Sequence, residues 1–333
     1  MIAPPRATIP ARRWLVALAV CAAGCTNNPY PNADAAAKVA YVAFQAPPKT
    51  LDPQVSYTTT DHIVTGNVFD TLLEFHYLER PYRLMPALAE AVPDAEPRAE
   101  GRVAYRFRLR PDVRYQDDPC FAVGDAGRAT RAVTADDVAF SLARIADPAV
   151  GSPVIDTFAR LHGLRDFSAR LQAARAEAAF AALPPHAQYA RLGGIAGVRP
   201  LDPRTLEIEL DEPYPQILYW FAMPFTAPTP WEAVVAYDGR DGRPALADHP
   251  VGAGPFRLER YDRLSRIVLA RNDNWYGIAH PEWRAPGAVY PDRGEPGDAA
   301  AGLLDPAAVG RPLPFLARVE LRRDPELVPA FIT

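Results

Sequence analysis

Val103-Ala-Tyr-Arg-Phe-Arg-Leu109 alternates without a break: Val103, Tyr105, Phe107 and Leu109 point one way, Arg106 and Arg108 the other. Successive strand side chains face opposite sides of a sheet, so this run reads as a strand with one face buried and one in water. Pro111 ends it, because proline has no amide to donate to a ladder. A second pattern begins at Thr134-Ala-Asp-Asp137. Val138, Leu142 and Ile145 recur at helical spacing until Pro148 stops the run. Thr134 and Asp137 have the spacing of a capping box, with Asp in place of Glu. Asp136 and Asp137 could be read as a catalytic carboxylate pair. Acids at a helix N-terminus complement its dipole, which is the simpler reading. A strand of period two followed by a capped helix makes the chain mixed α/β.

Working outward, Thr205–Leu210 repeats the strand alternation through Leu206, Ile208 and Leu210. Leu316–Arg322 does so through Ala317, Val319 and Leu321, and Arg266–Ala270 is a fourth strand candidate. Residues 168–183 have strong helix propensity and end at Pro184-Pro185. Residues 238–250 and 285–314 are Gly/Pro-rich loops. Tyr214, Tyr219, Trp220, Phe221 and Phe225 crowd together among prolines. That mixture favours an irregular, aromatic-walled segment, and such clusters more often build core than bind ligand.

Length and composition bound the function. At roughly 150 residues per domain, 333 residues suggest about two domains. A hydrophobic fraction of 49% and a charged fraction of 23% exclude a largely disordered chain. A net charge of −4 argues against a general nucleic-acid binder. The 37 prolines imply many fixed turns and few long helices. Lys38 and Lys49 are the only lysines, which reads as base composition of the source genome.

The N-terminus is an address. Arg12 and Arg13 precede a short apolar run from Trp14, the order of an export signal. The run falls short of the about 20 apolar residues that span a bilayer. It ends in Ala22-Ala23-Gly24-Cys25, which resembles a bacterial lipoprotein box with Ala22 where leucine is usual. Lipidation at Cys25 is the expectation; an ordinary cleaved signal is the alternative. Residues 1–24 are then the lipoprotein signal peptide and 25–37 a tether. Loss of 1–24 removes three arginines and no acid, moving the charge from −4 to −7. Cys120 becomes the only free cysteine, which excludes an internal disulfide and a cysteine metal site.

Few residues suggest chemistry. His62, His76, His162, His186, His249 and His280 are not paired at metal-ligand spacing. There is no Gly-x-Ser-x-Gly elbow and no P-loop lysine. Val251-Gly-Ala-Gly-Pro-Phe256 has two glycines, but Pro255 removes an amide that a phosphate cradle needs, so a tight turn into a strand is the reading. Asp117-Asp118 reads as a solvated turn.

Several segments, taken in order, resemble the bacterial extracellular solute-binding proteins of family 5, the oligopeptide-, dipeptide- and nickel-binding components of ABC importers. They are Leu51-Asp-Pro53, Asn67–Glu74, Leu84–Glu90, Tyr105–Val113, Val133–Arg144, Glu209–Tyr214, Pro250–Phe256 and Arg266–Trp275. The resemblance implies an α/β fold of the two-lobed periplasmic binding protein kind (type II, cluster C-like), lacking most of the third domain. It divides the chain into an incomplete, discontinuous domain I of 38–69 plus 199–333 and a domain II of 70–198. Residues 157–198 look like a helical insert within domain II.

The implied function is capture of peptides or similar small solutes in an interdomain cleft and delivery to an ABC permease. No covalent chemistry, cofactor, metal or nucleic acid is involved. The implied location is the periplasm or cell envelope, with membrane attachment through the lipid. Carried over position by position, Tyr57, Thr58 and Thr59 reach the cleft, and Val154 stands where an aromatic cleft residue is often found. Because family members are longer, the resemblance also carries the expectation of a C-terminally truncated form that binds peptide weakly. A non-binding remnant or structural lipoprotein is the main alternative, and a periplasmic hydrolase the least favoured.

Overall fold

The computed structural model describes residues 37–76, 81–123, 127–283, 292, 297–302, 304–311 and 316–324. Cys25, with the signal and nearly all of the tether, lies outside them. Ten strands among the described residues form three sheets. The first comprises β1 (Val39–Phe44), β8 (Phe256–Asp262), β9 (Arg266–Arg271) and β10 (Arg318–Arg323), in the order β1-β10-β9-β8. β1 runs parallel to β10, and the other neighbours are antiparallel. β2 (Leu73–Phe75) and β3 (Leu84–Pro86) make a small antiparallel pair. The third sheet holds β4 (Ala95–Pro97), β5 (Val103–Arg108), β6 (Val198–Asp202) and β7 (Thr205–Leu210), in the order β4-β5-β7-β6.

The alternation in β5 and β7 becomes two different faces. Val103 lies opposite Leu210, Tyr105 opposite Ile208 and Phe107 opposite Leu206, and all six are buried. On the other face Arg106 lies opposite Glu207. Glu207 accepts hydrogen bonds from Arg98, Arg106 and Arg199, and Glu209 from Arg102 and Arg199. One face is therefore hydrocarbon and the other a ladder of ion pairs.

The helices are α1 (Thr59–Val68), α2 (Ala135–Ala146), α3 (Leu164–Ala174), α4 (Ala178–Ala181), α5 (Pro185–Arg191), α6 (Ile217–Trp220), α7 (Trp231–Ala236) and α8 (Tyr276–Ala279). α2 begins as expected, with Thr134 and Asp137 closing a capping box. The single helix expected over 168–183 is instead two, α3 and α4. The break lets Arg175 turn back onto the Asp147 carboxylate, at 2.5 and 2.6 Å, while Phe180 enters the core. Tyr189 of α5 donates to the same carboxylate at 2.6 Å. Burial would raise the Asp147 pKa, but the hydrogen bonds from Arg175 and Tyr189 outweigh it and hold the group below its ordinary range.

Strand pairing departs from the expected domain division at one place. The expected boundary puts 199–210 with 38–69, yet β7 pairs with β5 on one side and with β6 on the other. The apolar faces of β5 and β7 need one another, and this decides the placement. Phe221 and Phe225 of the aromatic segment are fully buried, which makes that segment core. The buried apolar residues form two clusters. The larger spans Leu72 to Tyr276 and contains the inner face of the third sheet with α2 and the 157–198 helices. The smaller joins Phe44, Leu51, Val64, Val68, Phe69, Ala227, Phe256, Ile267, Leu269 and Leu321.

Candidate functional site

The two clusters meet at the segment Leu51–Thr60. Leu51 and Ala227 belong to the smaller cluster and Phe225 to the larger. Between them lies a buried polar knot. Arg144, near the end of α2, grips Asp52 with both terminal nitrogens at 3.0 and 2.6 Å and also donates to the Gln54 side-chain oxygen. The Gln54 amide donates to the Phe225 and Ala227 carbonyls at 3.4 and 3.1 Å. Thr229 donates to the Gln54 side-chain oxygen at 3.1 Å, and Ser152 donates to the Gln54 carbonyl at 2.7 Å. Ser141 of α2 accepts from the Thr229 amide at 2.8 Å. A buried polar group left unpaired is costly, so this set ties the segment to α2 and to 225–229 as one unit.

Beyond the knot the chain turns into α1. Asp61 is 1% exposed and organises that turn. Its carboxylate accepts from the Lys49 amide at 2.6 Å, the Thr58 amide at 3.2 Å, and more distantly the Thr50 and Tyr57 amides. Thr58 returns the favour as N-cap, accepting from the Asp61 amide at 3.2 Å. Burial would raise the Asp61 pKa; the hydrogen bonds from Thr58, Lys49 and Thr50 overcome it and hold the carboxyl below its ordinary value. Thr58-Thr-Thr-Asp61 has the same capping spacing that marked α2, so this helix start was readable in the sequence.

The turn presents Tyr57, which is 59% exposed, beside an exposed Thr59 and a half-buried Thr58. Three of the four residues named from the resemblance thus share one surface. Val154 does not: it is 2% exposed and packs in the larger cluster. Its side chain completes the hydrophobic layer around Phe158 and α2, so the expected cleft contact has no surface to act through. Its neighbour Ser152 is the residue of that turn that reaches the 51–60 segment.

Two further features brace the junction. The Val251–Phe256 stretch passes so close to the end of α1 that a Cβ on Gly252 would lie 2.0 Å from the Val68 carbonyl oxygen. Gly254 donates to that carbonyl at 2.9 Å, while Gln116 donates its amide to the Gly252 carbonyl at 2.9 Å. The stretch is indeed a turn leading into a strand, β8. Asp118 is buried, not solvated as expected of the Asp117-Asp118 turn; it faces His249 at 2.9 Å and accepts from the Tyr237 hydroxyl. A cavity of about 490 Å³ opens beside the knot, lined in part by Asp52, Arg144, Leu183, Pro185, Val234 and Leu246. Nothing in Leu51-Asp-Pro53 itself points to Arg144 as its partner, because the contact joins residues far apart in the chain.

Comparison with known proteins fits this geometry. The profile of the bacterial extracellular solute-binding proteins, family 5 Middle, matches residues 83–295. The peptide transport periplasmic protein SapA of Salmonella typhimurium is 27% identical over 213 residues, covering 64% of this chain and 32% of that protein. Di/tripeptide-binding protein 4 of Pseudomonas aeruginosa is 27% identical over 277 residues, covering 80% of this chain and 42% of that protein. The chain therefore spans about a third to two fifths of the length of these relatives. Among solved structures, the pheromone receptor PrgZ superposes with a TM-score of 0.59 at 17% identity, covering 88% of this chain and 44% of that one. An oligopeptide-binding protein of Borrelia burgdorferi superposes with a TM-score of 0.58 at 19% identity, with 88% and 44% covered. The fold is that of the periplasmic peptide-binding proteins, and the chain belongs to the bacterial extracellular solute-binding proteins of family 5.

Proposed function

We propose that this chain supplies part of the ligand cleft of a periplasmic peptide-binding component of an ABC importer, with Tyr57, Thr58 and Thr59 on the ligand side. The observation that carries the site is the pinned turn: a large, exposed aromatic ring held on a backbone fixed by Asp61 and by the Asp52–Gln54–Arg144 knot. An aromatic side chain preorganised in this way contributes contact area at low entropic cost. The printed names of the relatives, a peptide transport protein and a di/tripeptide-binding protein, support peptide as the solute. Main-chain hydrogen bonding to an extended ligand explains how one site accepts varied sequences. In this reading Cys25 carries lipid at a membrane and the permease is the partner. The division into two lobes is kept, with the third sheet, including 199–210, in one and the first sheet with α1 in the other.

Isothermal titration of the purified chain with a mixed di- to pentapeptide library tests the reading. Tyr57→Ala is expected to weaken any peptide bound by roughly 10-fold, about 1.4 kcal/mol. Unchanged affinity in Tyr57→Ala overturns the placement of the site. Absence of peptide binding, with binding of a different solute class, overturns the choice of ligand.

A further inference from the structure

A second cavity, of about 310 Å³, lies on the far side of α2, between that helix, α5, the β6 strand and Trp231. Nothing in the peptide reading uses it. Phe140, Tyr189, His186 and Trp231 line it. Phe140 and Tyr189 pack with ring centroids 5.4 Å apart, and His186 lies against Trp231 at 4.0 Å. The His186 Nδ1 is buried with no hydrogen-bond partner among the described residues. Burial lowers the His186 pKa, only partly opposed by the Glu232 carboxylate, so the ring adds no positive charge to the cavity at neutral pH.

The rim is anionic. Asp136 and Asp137 both line the cavity, and they differ. Asp137 is buried and saturated by Arg131 and by the Thr134 amide and hydroxyl. Asp136 is exposed and, among the described residues, has no hydrogen bond or ion pair. Glu232, beside His186, is committed to the same Arg131. Two carboxylates, Asp137 and Glu232, thus share one guanidinium, and the charge of Asp136 is left over. An anionic ligand is disfavoured here; a cation is attracted both by Asp136 and by the faces of the aromatic rings. An apolar cavity of about 150 Å³ already holds benzene, so this one admits an aryl ring with a short chain.

We propose that this cavity binds a small organic amine with an apolar, aromatic body. The ring lies among Phe140, Tyr189 and Trp231, and the ammonium faces Asp136. The site is independent of Tyr57–Thr59.

The test uses 2-phenylethylamine as probe and 2-phenylethanol, its uncharged counterpart, as control. Proton–nitrogen spectra of the full chain follow the Trp231 indole, assigned with Trp231→Phe. A saturable shift with the amine is expected, with the alcohol weaker by roughly 5- to 10-fold. Asp136→Asn, a change on an exposed side chain, should reduce the amine to the affinity of the alcohol. No saturable shift up to about 10 mM overturns the proposal, since binding weaker than that is not a site. Equal affinity for amine and alcohol overturns it too, as does an Asp136→Asn chain that binds the amine unchanged.

Discussion

The sheets β4-β5-β7-β6 and β1-β10-β9-β8 have four strands each and are held in different ways. In the former, β6 and β7 are a hairpin and the inner face is covered by α2 and the insert helices, giving the larger core. In the latter, β1 and β10 pair across almost the whole described chain, Val39 beside Arg318. Its buried cluster is small and its other face is charged: Glu320, 5% exposed, meets Arg266 at 2.6 Å with Arg318 and Arg322 at 3.5 Å. Closing so long a loop costs only slightly more free energy than closing a short one, but no local contact assists it. The sheet β1-β10-β9-β8 therefore depends on what ties it to the larger core, and the knot at Asp52, Gln54 and Arg144 is such a tie.

Breaking the knot should have the largest effect. Arg144→Ala leaves Asp52 and Gln54 buried without their main partner, the situation that costs about 4–5 kcal/mol. Denaturant unfolding followed by a probe in each of these two sheets should change from one shared transition to two, the sheet β1-β10-β9-β8 melting first. A single transition of unchanged midpoint would remove the knot from its role. The next effect sharpens the contrast between the cores. Leu206 is fully buried in the large core, so Leu206→Ala should cost about 3–4 kcal/mol. Leu321 sits beside the exposed Val42 at the edge of the small core, where neighbours can relax, and Leu321→Ala should cost about 2–3 kcal/mol. Equal costs, measured by the same unfolding midpoints, would mean that the two cores are packed alike.

What the sequence revealed follows the same division. The period-two runs at 103–109, 205–210, 266–270 and 316–322 became β5, β7, β9 and β10, and the Thr134–Asp137 box became the start of α2. These are local patterns, each decided by residues a few positions apart. β1 was missed, since Val39-Ala-Tyr-Val-Ala-Phe44 is apolar on both faces and shows no alternation. The expected domain boundary after residue 198 separates 205–210 from 103–108, which β7 and β5 join, because a strand's pattern gives its buried face and not its neighbour. At the site, Tyr57, Thr58 and Thr59 lie together on the surface, but the residues that hold them there did not stand out. Arg144 looks in the sequence like any arginine at a helix C-terminus; only the return of the chain to Asp52 gives it a buried carboxylate. Val154 failed for the opposite reason: a small apolar side chain beside Ser152-Pro153 is drawn into the core by its own hydrophobicity.

The smallest expected effect concerns the charged face of the sheet β4-β5-β7-β6, where acid should find a weakness that mutation of the apolar face does not. Hydrogen bonding by Arg199, opposed by burial and helped by Arg106 and Arg98, brings the Glu207 carboxyl from its ordinary 4.5 down to about 2. A group whose pKa is depressed on folding stabilises the fold fully above its unfolded value, and loses that contribution as pH falls toward the folded value. The window for Glu207 is therefore from about 4.5 down to about 2. Arg106 and Arg199 are nearly half exposed, at 47% and 46%, so solvent screens the pairs and the contribution is discounted to about 1 kcal/mol. Glu207→Gln should lower stability by about that amount at neutral pH and by progressively less as pH falls through the window, the difference vanishing only below the folded value, where the carboxyl is protonated and, like the amide, uncharged. The difference between the two unfolding curves should close progressively through that window. A difference that persists undiminished at the acid end would mean that Glu207 stabilises the sheet by packing and hydrogen bonding and not by its charge.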